Sequence, residues 1–210
     1  YSALLHAHVS CGDLRGARRV VREMRNAGLA PGVVEHTSLM KGHLDAGDVH
    51  GAEGVFEAMS SQQPPVAPDR RAVNTFLRGC VKLGDVEAAE RVRARLGVWG
   101  VEPDATTWKC AVQLLSQGLR LSPARAIARE LRAAGAGEVL GSLDNDVFLP
   151  LAVARTACLL GKAAIAEKEL AVAQTALDSR PAPGTWSKSQ AVPLFDALRR
   201  QELAREAAAL

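Results

Sequence analysis

The stretch TSLMKGHLDAGDVHGAEGVFEAMSS, residues 37–61, holds two apolar-periodic runs on either side of Gly47-Asp48. Apolar residues at helical spacing mark each run as one face of an α-helix, and the glycine between them is a helix stop. The aspartate after it stands at the head of the second run, where a carboxylate accepts orphan backbone N–H groups and meets the positive end of the dipole. The pattern returns at Gly12-Asp13 and Gly84-Asp85. Four residues after each Asp comes Ala (Ala17, Ala52, Ala89), and eleven after it a large apolar residue (Met24, Met59, Leu96). Each unit closes on proline, at Ala30-Pro31-Gly32, Ala67-Pro68-Asp69 and Glu102-Pro103-Asp104. A period of about 35 residues predicts an all-α fold, a right-handed α-solenoid of stacked helix-turn-helix repeats in which each unit buries its apolar face on its neighbours.

The first helices run through SALLHAHVSCG, TSLMKGHLDAG and NTFLRGCVKLG, with Ser2, Thr37 or Asn74 available near the start as an N-cap. The second helices run through LRGARRVVREMRNAG, VHGAEGVFEAMSS and VEAAERVRARLGVWG, and Gly28 and Gly100 stop two of them. Residues 33–69 are two longer than 70–104, and the excess lies in SSQQPPVAPD, where Pro64 and Pro65 cannot continue a helix.

This layout resembles the pentatricopeptide repeat, whose units pair helices in this way and end in a Pro-Asp-like turn. A tetratricopeptide repeat has a similar architecture and a shorter period; the terminal Pro-Asp pairs and the 35-residue register favour the former. The resemblance covers residues 1–139 as four repeats, 1–32, 33–69, 70–104 and a degenerate 105–139, with Tyr1 at the fourth position of its unit. The expectation is therefore that a targeting segment or further repeats precede Tyr1. Residues 140–210 are expected to form noncanonical helical repeats or a cap. Glycines at 135, 137 and 141 make one break and Arg180 to Gly184 a second. Between them lie helices over 147–160 and 163–177 around Gly161-Lys162, with Pro150 tolerable only near a helix start. One or two helices follow over 186–210, and protein docking or self-association is expected through 140–210.

Chemistry-bearing clusters do not emerge. Cys11, Cys80, Cys110 and Cys158 are dispersed without Cys-x-x-Cys or paired-His spacing, so no metal or cofactor is expected, and Cys80 and Cys110 read as core. There is no phosphate loop or Gly-x-Ser-x-Gly, so no enzyme and no catalytic residue is expected. No run of about 18 apolar residues suggests a membrane span.

The polar signal lies on the first helices, where the fifth, ninth and thirteenth residues of a unit share one face. These are Ser2, His6 and Ser10; Thr37, Lys41 and Asp45; Asn74, Arg78 and Lys82; Lys109, Gln113 and Gln117. Stacking makes them a polar ladder that is locally basic, although the chain's formal net charge is only +3. Repeats of this kind can read one base each with two or three side chains, while Lys and Arg draw phosphate. The resemblance implies an organellar protein of mitochondrion or chloroplast, binding single-stranded RNA on its concave face in RNA processing, stability or translation. Its alternative is a structural subunit of an organellar ribosome or transcription complex that mainly contacts protein and folded RNA, ribosomal RNA included.

The resemblance also assigns base choice to the fifth and last residues of a unit. Carried over, the pairs are Ser2 with Gly32, Thr37 with Asp69, Asn74 with Asp104 and Lys109 with Val139. Thr with Asp resembles the guanine combination and Asn with Asp the uracil one. The second residue, which sandwiches the base, is Val34 in one unit and Arg71 in the next. Gly32 and Val139 offer no polar side chain to a base.

Overall fold

The computed structural model describes residues 1–133 and 144–178, all helical apart from turns. They fall into two units, 1–114 and 115–210. The expected break at 135–141, Val139, the second break at 180–184 and the helices over 186–210 lie outside the described residues.

The first unit pairs α1 (Ser2–Ser10) with α2 (Leu14–Asn26) and α3 (Val33–Asp45) with α4 (Val49–Ser61). It continues with α5 (Arg70–Leu83), α6 (Val86–Ala94) and the one-turn α7 (Leu96–Trp99). The helix α8 (Ala105–Gln117) begins in it. Helix α1 packs on α3 and α3 on α5, while α4 packs on α5 and α6, so first helices stack on first helices as a solenoid. The joint between repeats is aromatic. Phe56 and Phe76 meet edge to face at 5.4 Å and Trp99 stacks on Phe56 at 4.8 Å, with both Phe side chains wholly buried. Burying each such side chain is worth roughly 1.5–3 kcal/mol.

The Gly-Asp pairs build the turn inside each repeat. Gly12, Gly47 and Gly84 take φ of +72°, +78° and +77°, a left-handed conformation that costs residues bearing a Cβ. This turns the next N–H back on the helix just ended. Asp13, Asp48 and Asp85 donate their backbone N–H to the carbonyls of His8, His43 and Cys80 at 2.9, 2.9 and 3.1 Å. The same aspartates cap the second helices, accepting from the N–H of Gly16, Gly51 and Ala88 at 2.8, 2.8 and 2.9 Å.

Two of the three turns carry a histidine. His8 Nδ1 lies 2.9 Å from Asp13 Oδ2, and His43 Nδ1 lies 2.8 Å from Asp48 Oδ2. A Cβ on Gly16 or Gly51 would collide with the ring nitrogen and the carboxylate. In the third repeat the histidine's place is held by Cys80, and the glycine's by Ala88. The smaller side chain leaves the room that the methyl fills.

The helix starts correct one reading. Ser2, Thr37 and Asn74 are not N-caps: they lie inside helices whose caps are Tyr1, Gly32 and Asp69. At α3 and α5 the last residue of one repeat caps the first helix of the next, which displaces the polar fifth residue into the helix. The second helix of the third repeat is also not continuous. Arg95 N–H bonds to Val92 carbonyl three residues back, at 3.0 Å, and the tightened turn separates α6 from α7. Helix α4 stops at Ser61, ahead of the prolines at 64 and 65.

The second unit contains α9 (Leu121–Ala133), α10 (Asp144–Leu159) and α11 (Ala163–Asp178), with α10 packed on both neighbours. Helix α10 starts three residues before the expected 147, so Pro150 lies inside it, and the bond its missing N–H would make is absent. Gly161 at φ +67° and Lys162 N–H on Ala157 carbonyl, 2.8 Å, repeat the turn geometry of the first unit. The turn after α8 keeps those bonds without the glycine. Leu119 sits at φ +56° while Arg120 N–H reaches Leu115 carbonyl at 2.8 Å.

Leu119→Gly relieves that strain and raises stability by about 1 kcal/mol, seen as a later urea midpoint. In the same assay Gly51→Ala loses about 1–3 kcal/mol through overpacking on His43 and Asp48. Gly54→Ala, whose added methyl meets nothing within 4 Å, gains about 0.4–1 kcal/mol.

Candidate nucleic-acid interface

Along α3, α5 and the start of α8 runs an open groove of about 780 Å³. Lys41, Asp69, Arg71, Asn74, Arg78, Lys82 and Asp104, expected from the sequence to face a ligand, all line it. Arg70, Thr75, Thr106 and Asp45 share the lining. Five cationic side chains thus stand against three carboxylates, Asp45, Asp69 and Asp104, so the groove is basic in a chain nearly balanced in charge. Lys41, Arg71, Arg78 and Lys82 are exposed. Lys82 Nζ approaches Asp45 Oδ1 at 3.5 Å, a solvated pair of small energetic weight.

Ser2, Val34, Thr37 and Lys109 are not in the lining of this groove. Val34 is 62% exposed. Thr37 is half-buried and its hydroxyl donates to Val33 carbonyl at 2.7 Å, while Asp69 accepts from Ala72 N–H at 2.7 Å. Each is bonded within its own helix start, in contrast to the next pair along. Lys109, the fifth residue of its repeat, is half-buried on α8.

Asn74 and Asp104 meet. Asn74 is only 7% exposed, and its Nδ2 donates to the Asp104 carboxylate with both oxygens at 3.1 Å. On its other side Thr107 Oγ1 donates to Asn74 Oδ1 at 2.7 Å. Burial works to raise the Asp104 pKa, but the Thr107 N–H, the Asn74 amide and the Arg70 charge together hold it below the usual carboxylate range. An ionised carboxylate only accepts, so the amide must turn its nitrogen toward Asp104. Asp104 N–H in turn donates to Thr107 Oγ1 at 3.2 Å, and Thr107 N–H to Asp104 Oδ1 at 2.9 Å, a reciprocal cap on α8. Asn74 is left with one N–H and one oxygen lone pair for a ligand, their order fixed.

Thr107 escaped the sequence reading. It is the third residue of its repeat, 33 positions from Asn74, and the visible signal was only the Asp104-x-x-Thr107 spacing of a capping box. Glu35 escaped it too. It holds the same third position in the second repeat, where it accepts from Gly32 N–H at 2.9 Å and from the Ser2 hydroxyl at 2.5 Å.

The fold and groove define a helical-repeat protein with a basic face crossed by ordered amide and carboxylate groups. Residues 1–94 match a family model described as pentatricopeptide repeat-containing protein. A chloroplastic pentatricopeptide repeat-containing protein of Arabidopsis thaliana is 30% identical over 132 residues, covering 63% of this chain and 17% of that protein. A mitochondrial one from the same plant is 28% identical over 142 residues, covering 68% of this chain and 22% of that protein. The crystal structure of the pentatricopeptide repeat protein PPR10 from maize aligns at TM-score 0.68 and 22% identity, over 84% of this chain and 25% of that one. PPR10 in complex with an 18-nt psaJ RNA element aligns at TM-score 0.60 and 22% identity, over 85% of this chain and 25% of that one. The chain spans a quarter or less of the length of these relatives. With the paired helices and their register, these matches make the chain similar to pentatricopeptide repeat proteins.

Thr107→Val removes the hydroxyl that serves Asn74 Oδ1 and Asp104 N–H, and costs about 1–3 kcal/mol in guanidinium unfolding. Thr107→Ser keeps the hydroxyl and recovers most of that loss.

Proposed function

We propose that the groove along α3 and α5 binds single-stranded RNA, with phosphates drawn to Lys41, Arg78 and Lys82 and bases set against the fifth-residue side chains. The observation that carries this reading is the Asn74–Asp104 pair, an amide with its remaining donor and acceptor fixed in order, lying in the same groove as five cations. Fixed donors and acceptors read a base edge, and mobile cations hold a backbone without regard to sequence. The uracil preference implied for Asn with Asp is assigned to this site. The guanine preference implied for Thr with Asp goes to the Thr37–Asp69 site.

The named relatives are chloroplastic and mitochondrial, which supports an organellar setting, and PPR10 has been solved with an RNA element. The role proposed is that of an RNA-binding repeat protein in organellar RNA processing, stability or translation.

Replacing Lys41, Arg78 and Lys82 together by Ala weakens binding to every single-stranded RNA tested. It also lowers the slope of log affinity against log salt by roughly 2, since each cation displaces about 0.7 of a counterion on a single strand. Fluorescence anisotropy with labelled oligonucleotides over a salt series measures both. Equal affinity and slope in the wild type and the triple variant would move the reading to a structural subunit that docks on protein.

A further inference from the structure

We propose that Ser2 and Glu35 form a further base site, selective for guanine, in which Glu35 supplies the carboxylate that Gly32 lacks. The inference rests on the reading of these repeats as an RNA-binding surface. In the repeat that ends at Asp104, the fifth residue Asn74 bonds to the carboxylate of the last residue. The repeat that ends at Gly32 has no side chain there. Its fifth residue is Ser2, and the Ser2 hydroxyl donates to Glu35 Oε1 at 2.5 Å. The other oxygen, Oε2, accepts the backbone N–H of Gly32 itself at 2.9 Å. The carboxylate is therefore tied to the backbone of the residue whose side chain is missing. Glu35 comes from the third position of the following repeat, the position from which Thr107 reaches back to Asn74. Two joints of the chain thus bring together the same three positions.

The chemistry of the pair is one-sided. A serine hydroxyl has one proton, and here it goes to Glu35, so Ser2 faces a ligand only as an acceptor. The Ser2 hydrogen bond, with smaller help from backbone N–H groups, holds the Glu35 carboxyl below its usual range despite partial burial, so it is ionised at neutral pH and also only accepts. A site of acceptors alone selects an edge with adjacent donors. On their Watson–Crick edges uracil alternates acceptor and donor, and cytosine and adenine each set a donor beside an acceptor. Guanine alone sets two donors, N1–H and the N2 amino group, side by side. Ser2 is exposed and Glu35 half-buried, so the pair is reachable. Val34, next in the chain to Glu35 and 62% exposed, leaves apolar surface for the face of a base.

The test measures binding of ten-nucleotide oligouridylate and of the same strand with two adjacent central guanosines, the second filling any guanine site at the neighbouring Thr37. The quantity read is the ratio of the two dissociation constants. Glu35→Gln keeps an oxygen to accept the Gly32 N–H, so the start of α3 stays capped, but turns an NH2 donor toward the base. The expected result is a guanosine preference about tenfold smaller in Glu35→Gln than in the wild type, as for loss of one bidentate contact. Glu57→Gln, an equal charge change on the exposed face of α4, keeps the wild-type ratio. Ser2→Ala, which leaves the cap untouched, also lowers the ratio. An unchanged ratio in Glu35→Gln, with unfolding midpoints matched, overturns the guanine site and leaves the groove reading in place. Failure of the wild type to bind either strand overturns the RNA reading, and this site with it.

Discussion

A two-residue turn carries the structure. At Gly12-Asp13, Gly47-Asp48 and Gly84-Asp85 the glycine adopts the left-handed backbone that ends one helix, and the aspartate joins that helix to the next. Its N–H closes the last turn behind it while its carboxylate caps the first turn ahead. Four orphan carbonyls and four orphan N–H groups would otherwise face each other across a sharp bend. Because the same pair satisfies groups on both sides, the angle within a repeat is set locally. Ala17, Ala52 and Ala89, four residues further on, are all buried.

The joint between repeats follows a similar economy, and it merges fold with site. Asp104 starts α8 by accepting Thr107 N–H, and the same carboxylate orders Asn74 one repeat earlier. A group that caps a helix is rigid, being held by backbone, so a side chain bonded to it is rigid as well. An amide held in this way is ordered without a separate scaffold. The Thr37–Asp69 joint shows the looser version. Ala72 stands where Thr107 stands, with no hydroxyl to reach back, and Thr37 turns to its own helix carbonyl.

What the sequence made legible is what repeats along the chain. The register of Gly-Asp, Ala and proline placed the helix pairs, and the four-residue spacing on the first helices picked out Lys41, Asn74, Arg78 and Lys82, which the groove brings together. What it hid depends on atoms 30 or more residues apart. The polar residues at 37 and 74 looked like caps because caps are polar, yet the capping residue is the last of the preceding repeat, five positions earlier in sequence, while Ser2 follows directly on its cap, Tyr1. Thr107 and Glu35 gave no periodic signal, since the third position is polar in only some repeats. The break at Arg95 was hidden for another reason: the apolar pattern runs on unbroken through Leu96 and Trp99, and a tightened turn, with Trp99 stacked on Phe56, is a packing event that periodicity does not record.

The variations among repeats show which of these constraints bind hardest. At the His-Asp turns the chain solves one volume problem twice, with His and Gly in two repeats and with Cys and Ala in a third. The aspartate stays fixed while the filler changes. Past α8 the chain gives up both the glycine and the aspartate, placing Leu119 and Arg120, and still forms the backbone bond from Arg120 to Leu115. A left-handed leucine costs roughly 1–2 kcal/mol, and the chain accepts that cost while keeping the bond from Arg120 N–H to Leu115 carbonyl. At this turn the backbone bond is kept at the expense of local strain. The fifth-residue side chain is under no such demand, and so a repeat can keep its turn while its fifth residue drifts, as Lys109 does in the repeat whose inner turn is made at Leu119.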